Sequence, residues 1–302
     1  MRAPGFQFIA LTPAAAPDPA IAIAACRAGA LGVLNLEYIH ATAVARRALA
    51  ELARYTDRPA GLKLDGDSPL IQELEAGGGL PAQISTLLVT ARGLAGLAEP
   101  VAAWRRRGLT LLIEVTEVGQ AELARQLGAD GLIAKGNEAG GWVGEETTFV
   151  LLQRLLAGSK LPIWAYGGIG IHAAAACYAA GAAGVVLETQ FALARESRLP
   201  EAAKTAVAAM DGSETICLGA DLGHAFRAYQ RPGSAALQAL EANALDLGAQ
   251  PHHAEAWRRA VEARVGWGSL QDNVWPLDQA AAIARPLAER YRTVGGILGA
   301  MR

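Results

Sequence analysis

Three short stretches of the chain combine glycines with charged, hydroxyl or aromatic side chains, a mixture that suits ligand binding better than core packing. The first runs from Lys135 to Glu146 and holds Trp142 together with glycines at positions 136, 140, 141 and 144. Glycine lacks a Cβ atom and adopts positive φ readily, so a loop of this composition lets its backbone approach a bound molecule closely. The structural alternative is a flexible connector.

The second and third stretches are the glycine pair Gly167-Gly168 and the segment Glu188-Thr189-Gln190. Backbone amides that no side chain shields, together with the Thr189 hydroxyl, are the donors that a phosphate group accepts. We therefore predict a phosphate cradle if the fold brings the two stretches together, and two tight turns if it does not.

Four titratable residues are candidates to act beside these stretches. Glu114 lies in an apolar run, where an unpaired buried carboxylate is unfavourable, so we expect Lys63 or Lys135 to be its partner. His224 follows a glycine in the C-terminal part of the chain and is a candidate to reach the same site. Three scattered cysteines form neither a disulfide framework nor a zinc pattern, which predicts no metal site and a cytoplasmic setting.

The elements that position these residues follow from eight short apolar runs separated by helical stretches. The runs are apolar throughout instead of alternating, which indicates strands buried on both faces of a parallel sheet. Eight βα units favour a (β/α)8 TIM barrel over the alternative, a doubly wound open sheet, and place the three glycine stretches at the carboxyl ends of strands. The predicted strands are Phe6–Leu11, Gly32–Leu36, Ala60–Leu64, Thr86–Val89, Thr110–Val115, Gly131–Lys135, Pro162–Ala165 and Gly184–Leu187.

An internal repeat supports the same fold. The pattern Gly-Ala-x-Gly followed by two apolar residues begins at Gly29, Gly128 and Gly181, each time after a helical stretch. A glycine just past a helix can adopt the left-handed conformation that ends the helix, and the second glycine lets the chain enter a buried strand. We interpret the repeat as three helix-to-strand junctions of a parallel α/β protein.

The barrel is predicted to occupy residues 1–195, and residues 196–302 are predicted to form an all-α extension packed on it. The chain has 302 residues, of which 52% are hydrophobic, and a formal net charge of −2. Such a chain lacks the basic surface that nucleic acid requires, and no apolar run approaches the ~20 residues of a membrane helix. The sequence therefore predicts neither a nucleic-acid nor a membrane partner.

Residues 5–195 resemble the nitronate monooxygenase (2-nitropropane dioxygenase-like) family of FMN barrels, whose pattern is shared by flavin-dependent enoyl-ACP reductases. The resemblance rests on Glu114-Val115-Thr116, Gly128-Ala129-Asp130, Gly136-Asn137-Glu138-Ala139-Gly140-Gly141, Gly167-Gly168-Ile169 and Glu188-Thr189-Gln190-Phe191. It implies an FMN phosphate bound against Gly167, Gly168 and Thr189. The cofactor site that it implies comprises Thr12, Lys63, Lys135, Gly136, Gly140, Gly141, Gly167, Gly168, Glu188 and Thr189.

One residue departs from the usual motif of this family. Where that motif continues with a histidine that handles protons, this chain has Trp142. An indole N–H is only a donor and cannot accept a proton, so the usual nitronate reaction is not expected. Hydride transfer needs positioning more than it needs a base, which favours reduction. The candidate catalytic residues are Trp142, Lys63 and His224.

The predicted function is an FMN-dependent oxidoreductase of the nitronate monooxygenase or enoyl-reductase type that acts on a small molecule or an acyl group. Residues 275–298 are weakly similar to segments of polyketide and polyunsaturated-fatty-acid synthases, which implies an acyl carrier protein and neighbouring synthase domains as partners. Two alternatives are open. One is an inactive barrel that serves as a scaffold or docking domain, and the other is a lyase or isomerase that uses Lys63 or Lys135.

Overall fold

Eight parallel strands close into a barrel in the computed structural model of the chain, which describes residues 5–76, 79–231, 233–247 and 253–302. The first and last barrel strands pair directly, with Ile9 opposite Val186, so the sheet closes on itself. The predicted (β/α)8 barrel is confirmed, and the open sheet is excluded. The strands are β1 (Gln7–Leu11), β2 (Leu31–Asn35), β3 (Ala60–Leu64), β4 (Ile84–Thr90), β5 (Thr110–Val115), β6 (Gly131–Lys135), β7 (Gly141–Val143), β8 (Ile163–Tyr166), β9 (Gly184–Leu187), β10 (Thr215–Leu218) and β11 (Ala225–Tyr229), and the barrel contains all of them except β7, β10 and β11.

Helices follow the barrel strands and cover the outside of the barrel. None of the helices in the described ranges is long and apolar enough to cross a bilayer. The helices are α1 (Ala20–Arg27), α2 (Thr42–Tyr55), α3 (Leu70–Ala76), α4 (Ala98–Arg106), α5 (Gly119–Leu127), α6 (Thr148–Gly158), α7 (Ile171–Ala180), α8 (Glu201–Ala209), α9 (Ala235–Leu247), α10 (His253–Glu262), α11 (Ala281–Tyr291) and α12 (Val294–Met301).

The glycine repeats form the junctions that the sequence predicts. Gly128 ends α5 and Gly181 ends α7, both in the left-handed conformation with φ of 89° and 93°. The second glycine of the last repeat, Gly184, begins β9, where a Cβ would lie only 2.0 Å from the carbonyl oxygen of Gln7 on β1. A side chain at this position would therefore force apart the two strands that close the barrel.

Apolar side chains fill the inside of the barrel and leave its polar residues at the carboxyl ends of the strands. A second, larger core lies between the strands and the surrounding helices. The barrel is thus a packed core with a polar mouth, as expected of this fold. The inner core includes Ile9, Leu11, Val33, Leu88, Leu112, Ile133, Trp164 and Val186.

The end of the chain returns to the barrel. The α12 residues Val294, Ile297, Leu298 and Met301 are buried in the same core as the barrel helices, and α12 packs between α1 and α7. The Thr293 hydroxyl caps α12 by accepting the amide of residue 296 at 3.1 Å. Residues between β9 and α12 therefore form an extension that leaves the barrel and comes back.

This extension is not all-α, which corrects the sequence-based prediction. Strands β10 and β11 form an antiparallel pair, and β11 also pairs with β7 from the loop after β6, with Phe226 opposite Trp142. The two strands are short and are separated by a turn between Gly219 and Gly223, whereas the helical stretches around them have a longer periodic pattern. The small sheet joins the extension to the barrel mouth next to Trp142.

Candidate functional site

A buried network of charges occupies the mouth of the barrel. Side chains alternate between the two faces of a strand, so Glu114 and Lys135 point inward like the apolar residues two positions before them. Lys63 Nζ lies 2.8 Å from Glu37 Oε2 and 2.5 Å from Glu114 Oε2. Lys135 Nζ lies 3.2 Å from Glu114 Oε1. The prediction that a lysine pairs with Glu114 is confirmed, and both candidate lysines do so.

Burial and mutual attraction compete within this network. Burial alone would raise the pKa of Glu37, but the ammonium groups of Lys63 and Lys135 lower it from its ordinary 4.5 to about 2. Burial would lower the pKa of Lys63, but the Glu114 and Glu37 carboxylates outweigh burial and raise it above its ordinary value. Glu37 and Lys63 are therefore both charged at neutral pH, and the formal charges of the two lysines and two glutamates cancel.

Tyr166 and Glu188 form a second buried pair beside the network. The Nζ atoms of Lys63 and Lys135 each lie 5.4 Å from the centre of the Tyr166 ring. The Tyr166 hydroxyl donates to Glu188 Oε2, and the Ala14 amide donates to Glu188 Oε1 at 3.0 Å. Burial, followed by the nearby Glu188 carboxylate, raises the pKa of Tyr166, and burial raises the pKa of Glu188. Both oxygens of Glu188 are thus bound to donors of the chain itself.

A cavity of about 690 Å³ opens at the mouth, beside the charge network. Its arginines already have partners, since Arg258 Nη1 lies 2.5 Å from Asp67 Oδ2 and Arg92 pairs with Asp65 and, at 3.1 Å, with Glu262. Carboxylates outnumber cations in the lining, so the cavity is acidic. The charged lining residues are Glu37, Asp67, Arg92, Glu114, Glu117, Glu145, Glu146, Glu255 and Arg258.

Trp142 and His224 both line this cavity. The Trp142 ring meets Phe226 edge to face at 5.0 Å between centroids, and the Arg92 guanidinium lies 5.5 Å from the Trp142 ring centre. Trp142 Nε1 is buried without a hydrogen-bond partner in the described part of the chain. It is therefore a donor that no described residue of the chain satisfies. His224 is exposed at the rim.

The loop after β6 is packed against the barrel. A Cβ on Gly136 would lie 2.1 Å from the Thr148 amide nitrogen, and one on Gly141, where φ is 78°, would lie 2.8 Å from the Tyr38 hydroxyl oxygen. Glu138 Oε2 accepts both the amide and the hydroxyl of Thr148 at 2.8 Å. The glycines thus serve the close packing of the chain on itself, and the structure gives no support to a flexible connector.

The two stretches of the predicted cradle meet at the carboxyl ends of β8 and β9. Gln190 Nε2 donates to the carbonyl of Ile169 at 2.7 Å, which ties the loop after β9 to the loop after β8. Gly167 and Gly168 have φ of 116° and 65°, a region that favours glycine. Thr189 is buried at the start of a short 3₁₀ turn over residues 189–191.

A carboxylate of the chain itself occupies this cradle. The Gly168 amide lies 3.1 Å from Asp278 Oδ1 and 3.3 Å from Asp278 Oδ2, and the Ala280 amide donates to Oδ1 at 2.6 Å. Burial raises the pKa of Asp278 from 3.8 to about 7, and the nearby Glu188 and Glu138 carboxylates act in the same direction. In this arrangement the Gly168 amide is already engaged, and the charged groups that act on Asp278 are negative, so a phosphate can use this amide only after Asp278 moves away.

The predicted site residues lie in four places. Lys63 and Lys135 lie in the charge network, next to the Glu188 pair, and Trp142 and His224 line the cavity. The Thr12 hydroxyl accepts the amide of residue 35 at 2.9 Å beneath the mouth. The predicted glycines and Thr189 form the two packed loops and the cradle, namely Gly136, Gly140, Gly141, Gly167, Gly168 and Thr189.

Sequence reasoning missed Glu37, Tyr166 and Asp278. An acid placed two residues after a buried strand was a usable signal for Glu37, and Tyr166 directly precedes the glycine pair. Asp278 had no such signal, because 110 residues separate it from Gly168.

Comparisons with known proteins agree with this architecture. A family model described as nitronate monooxygenase matches residues 88–284. Two relatives named as 5-hydroxy-7a-methyl-1-oxo-octahydro-1H-indene-4-carboxyl-CoA dehydrogenases are 32% identical (Mycobacterium tuberculosis; 60% of this chain, 51% of the relative) and 29% identical (Rhodococcus jostii; 62% and 52%). The chain thus spans about half the length of the curated relatives it matches.

The solved structure of FabK from Thermotoga maritima is similar over almost the whole chain. It superposes with a TM-score of 0.78 and 25% identity, covering 99% of this chain and 92% of FabK. The family match takes in the loop after β6, the cradle and Asp278. The chain therefore belongs to the nitronate monooxygenase family of flavin-dependent oxidoreductases.

Proposed function

We propose that the chain is a flavin-dependent oxidoreductase that acts on an acyl substrate, with FMN as its cofactor. The observation that carries this proposal is the family match over residues 88–284, because that range includes Trp142, the glycine pair and Thr189. The cavity at the carboxyl ends of the barrel strands supports it, since this is where barrel enzymes bind their substrates.

The residues that would hold FMN are those of the cradle and of the mouth beside it. The amides of Gly167 and Gly168 and the Thr189 hydroxyl are the proposed phosphate donors, and the Gly168 amide becomes free when Asp278 leaves it. Bound flavin supplies a hydride donor and acceptor. The remaining members of the proposed cofactor site are Thr12, Lys63, Lys135, Gly136, Gly140, Gly141 and Glu188.

We assign the acyl carbonyl of the substrate to Trp142. The Trp142 side chain lines the cavity, and its indole N–H is buried with no partner among the described residues. A turn of the ring that brings this N–H to the cavity would let it orient and polarise a carbonyl oxygen of the substrate. The same group cannot take up a proton, which favours reduction of an acyl group over oxidation of a nitroalkane. The imidazole of His224, at the rim of the cavity, both donates and accepts protons, and we assign proton exchange to it.

The charge of the cavity restricts how an acyl carrier can bind. Its acidic lining repels anions, so the uncharged acyl part belongs inside and the phosphate of a carrier outside. The names of the two dehydrogenase relatives support a thioester substrate. We extend this to an acyl group on a carrier protein, with neighbouring synthase domains as partners.

Anaerobic flavin titration tests this function. The chain is loaded with FMN, reduced with NADH or NADPH, and then mixed with an enoyl thioester, and the flavin absorption near ~450 nm should bleach and return. Trp142→Phe keeps an aromatic ring but removes the N–H donor, so it should slow reoxidation about tenfold or more, as expected for the loss of one hydrogen bond to a developing charge. Reduced flavin that no thioester reoxidises would exclude the acyl substrate.

A second candidate function is a scaffold or docking domain without catalysis. The specific observation in its favour is the cradle, where the Asp278 carboxylate takes the place that a phosphate needs. A scaffold would remain colourless with added FMN, and it would do so even after Asp278 is replaced by glycine.

A further inference from the structure

The segment from Trp275 to Gln279 lies across the glycine cradle. A Cβ on Gly140 would lie 2.8 Å from the Leu277 amide nitrogen, so the two backbones are in close contact. The Gln279 amide donates to the carbonyl of Glu138 at 3.0 Å. These contacts bring the side chain between them, Asp278, onto the Gly168 amide.

The surroundings of Asp278 match those of a bound anion. Its carboxylate is 1% exposed and accepts two backbone amides, those of Gly168 and Ala280. In barrels of this type, a bound phosphate accepts hydrogen bonds from amides at the carboxyl ends of the last strands. The carboxylate therefore occupies the Gly168 amide, one of the donors of the proposed phosphate site.

We infer that Asp278 is a built-in substitute for the flavin phosphate, which excludes phosphorylated cofactors from the cradle until it is displaced. The inference rests on the proposed function, because it concerns the cofactor of that same site. It adds one residue, Asp278, that sets the affinity for FMN, although the rest of the proposed flavin site is present.

Electrostatics strengthens the exclusion. The charged groups that act on Asp278 are the Glu188 carboxylate from the end of β9 and the Glu138 carboxylate from the loop after β6. A phosphate dianion would thus enter beside three carboxylates. Burial holds the pKa of Asp278 at about 7, so the repulsion weakens as the pH falls below that value.

The segment is fixed by the extension and is not a loose plug. Pro276 forms a β-bridge with Ala228 on β11, and the Tyr229 amide donates to the Trp275 carbonyl at 3.0 Å. The rings of Trp275 and Tyr229 stack at 5.4 Å. Opening the cradle therefore requires either a new rotamer of Asp278 or a shift of the small sheet to which the segment is attached.

The inference is tested without any turnover by measuring the affinities for FMN and for riboflavin at pH 8. The quenching of flavin fluorescence reports the binding. Asp278→Gly should tighten FMN binding by about 10- to 100-fold, the worth of a hydrogen bond to a charged group. Riboflavin, which has no phosphate, should change by less than about threefold. Asp272→Asn removes an exposed acid six residues earlier and should leave both affinities unchanged.

The outcomes separate this inference from the proposed function. If wild type and Asp278→Gly bind FMN equally tightly, the inference is wrong and the function stands. If the wild type does not bind FMN, and folded Asp278→Gly does not bind it either, both the inference and the proposed function are wrong. If Asp278→Gly increased the affinity for riboflavin as much as that for FMN, Asp278 would merely obstruct the whole flavin. The inference that it substitutes for the phosphate would then be wrong.

A second variant covers the case in which Asp278→Gly does not fold. Asp278→Asn keeps an acceptor for the Gly168 amide but has no charge. It should bind FMN more tightly than wild type at pH 8, and the advantage should shrink at pH 6, where wild-type Asp278 is largely protonated. A constant ratio between the two proteins over this range overturns the inference.

Discussion

Replacing Lys63 by methionine removes the cation that joins two buried carboxylates. Lys63 is fully buried, 2.8 Å from Glu37 and 2.5 Å from Glu114. Glu114 keeps Lys135 at 3.2 Å, but Glu37 keeps only an uncharged donor, Asn35 Nδ2, at 3.2 Å. Removing one partner of a buried ion pair costs about 3–5 kcal/mol. We expect the free energy of unfolding to fall by roughly that amount.

The pKa of Glu37 leads independently to a similar magnitude. Its fall from 4.5 to about 2 corresponds to about 3 kcal/mol of preference for the charged form in the folded protein. Much of that preference depends on the Lys63 ammonium, which both attracts the Glu37 carboxylate and donates a hydrogen bond to it.

Urea unfolding at pH 7, followed by circular dichroism, measures this loss. The double variant Lys63→Met/Glu37→Gln removes the orphaned charge as well and should recover about 1–3 kcal/mol relative to the single variant. Lys204→Met, which breaks a surface pair with Glu201 at 3.6 Å, is the matched control and should change stability by less than about 0.5 kcal/mol. A single variant that loses less than about 1 kcal/mol, or a double variant no more stable than the single, refutes the reasoning.

Three further predictions concern the same region. Burial raises the pKa of Asp278 from 3.8 to about 7, so its ionisation costs stability as the pH rises through this range, and Asp278→Asn should raise the melting temperature more at pH 8 than at pH 5. Equal gains at both pH values would contradict this. Gly141→Ala should lower the free energy of unfolding by about 1–3 kcal/mol in urea, because its Cβ would lie 2.8 Å from the Tyr38 hydroxyl at a φ of 78°; a neutral substitution would mean that Tyr38 moves aside freely. Glu37 contributes stability above its ordinary pKa of 4.5 and loses it as the pH falls towards about 2, so Glu37→Gln should flatten acid unfolding over this range, and an unchanged acid profile would locate the sensitivity elsewhere.

The barrel could be predicted from the sequence because its signals are local. Each barrel strand is an apolar run, and three of them follow a glycine junction, so the eight predicted strands begin and end at most two residues from the observed ones. The α12 helix shows where this reasoning stops. Its apolar face indicates that it packs somewhere, but only the closed barrel determines that it lies between α1 and α7. The same holds for β11, whose partner β7 lies in a loop far earlier in the chain.

The site could be predicted in its residue types but not in its pairings. Strand ends identify Lys63, Glu114 and Lys135, because residues at the carboxyl ends of barrel strands face one mouth. The pairing of Lys63 with Glu114 spans 51 residues and depends on the order of strands around the barrel. Glu37 completes the charge balance of this network, because it gives Lys63 a second carboxylate partner beside Glu114.

The charge of the mouth explains why replacing Asp278 is the smallest change that could free the cradle for a phosphate. The ammonium groups of Lys63 and Lys135 are matched by Glu37 and Glu114, so they attract an incoming phosphate only weakly. The remaining acids near the cradle are Glu138, Glu188 and Asp278.

Two of these three acids, Glu188 and Glu138, also stabilise the fold through hydrogen bonds. Glu188 accepts the Ala14 amide and the Tyr166 hydroxyl, and Glu138 binds the first turn of α6 at Thr148, so removing either would leave buried donors without acceptors. Asp278 also accepts the Ala280 amide, but its bond to the cradle uses the Gly168 amide, and a phosphate that replaced it there would satisfy that donor. The position at which the chain departs most from a flavin site is therefore also the position at which the departure is most easily reversed.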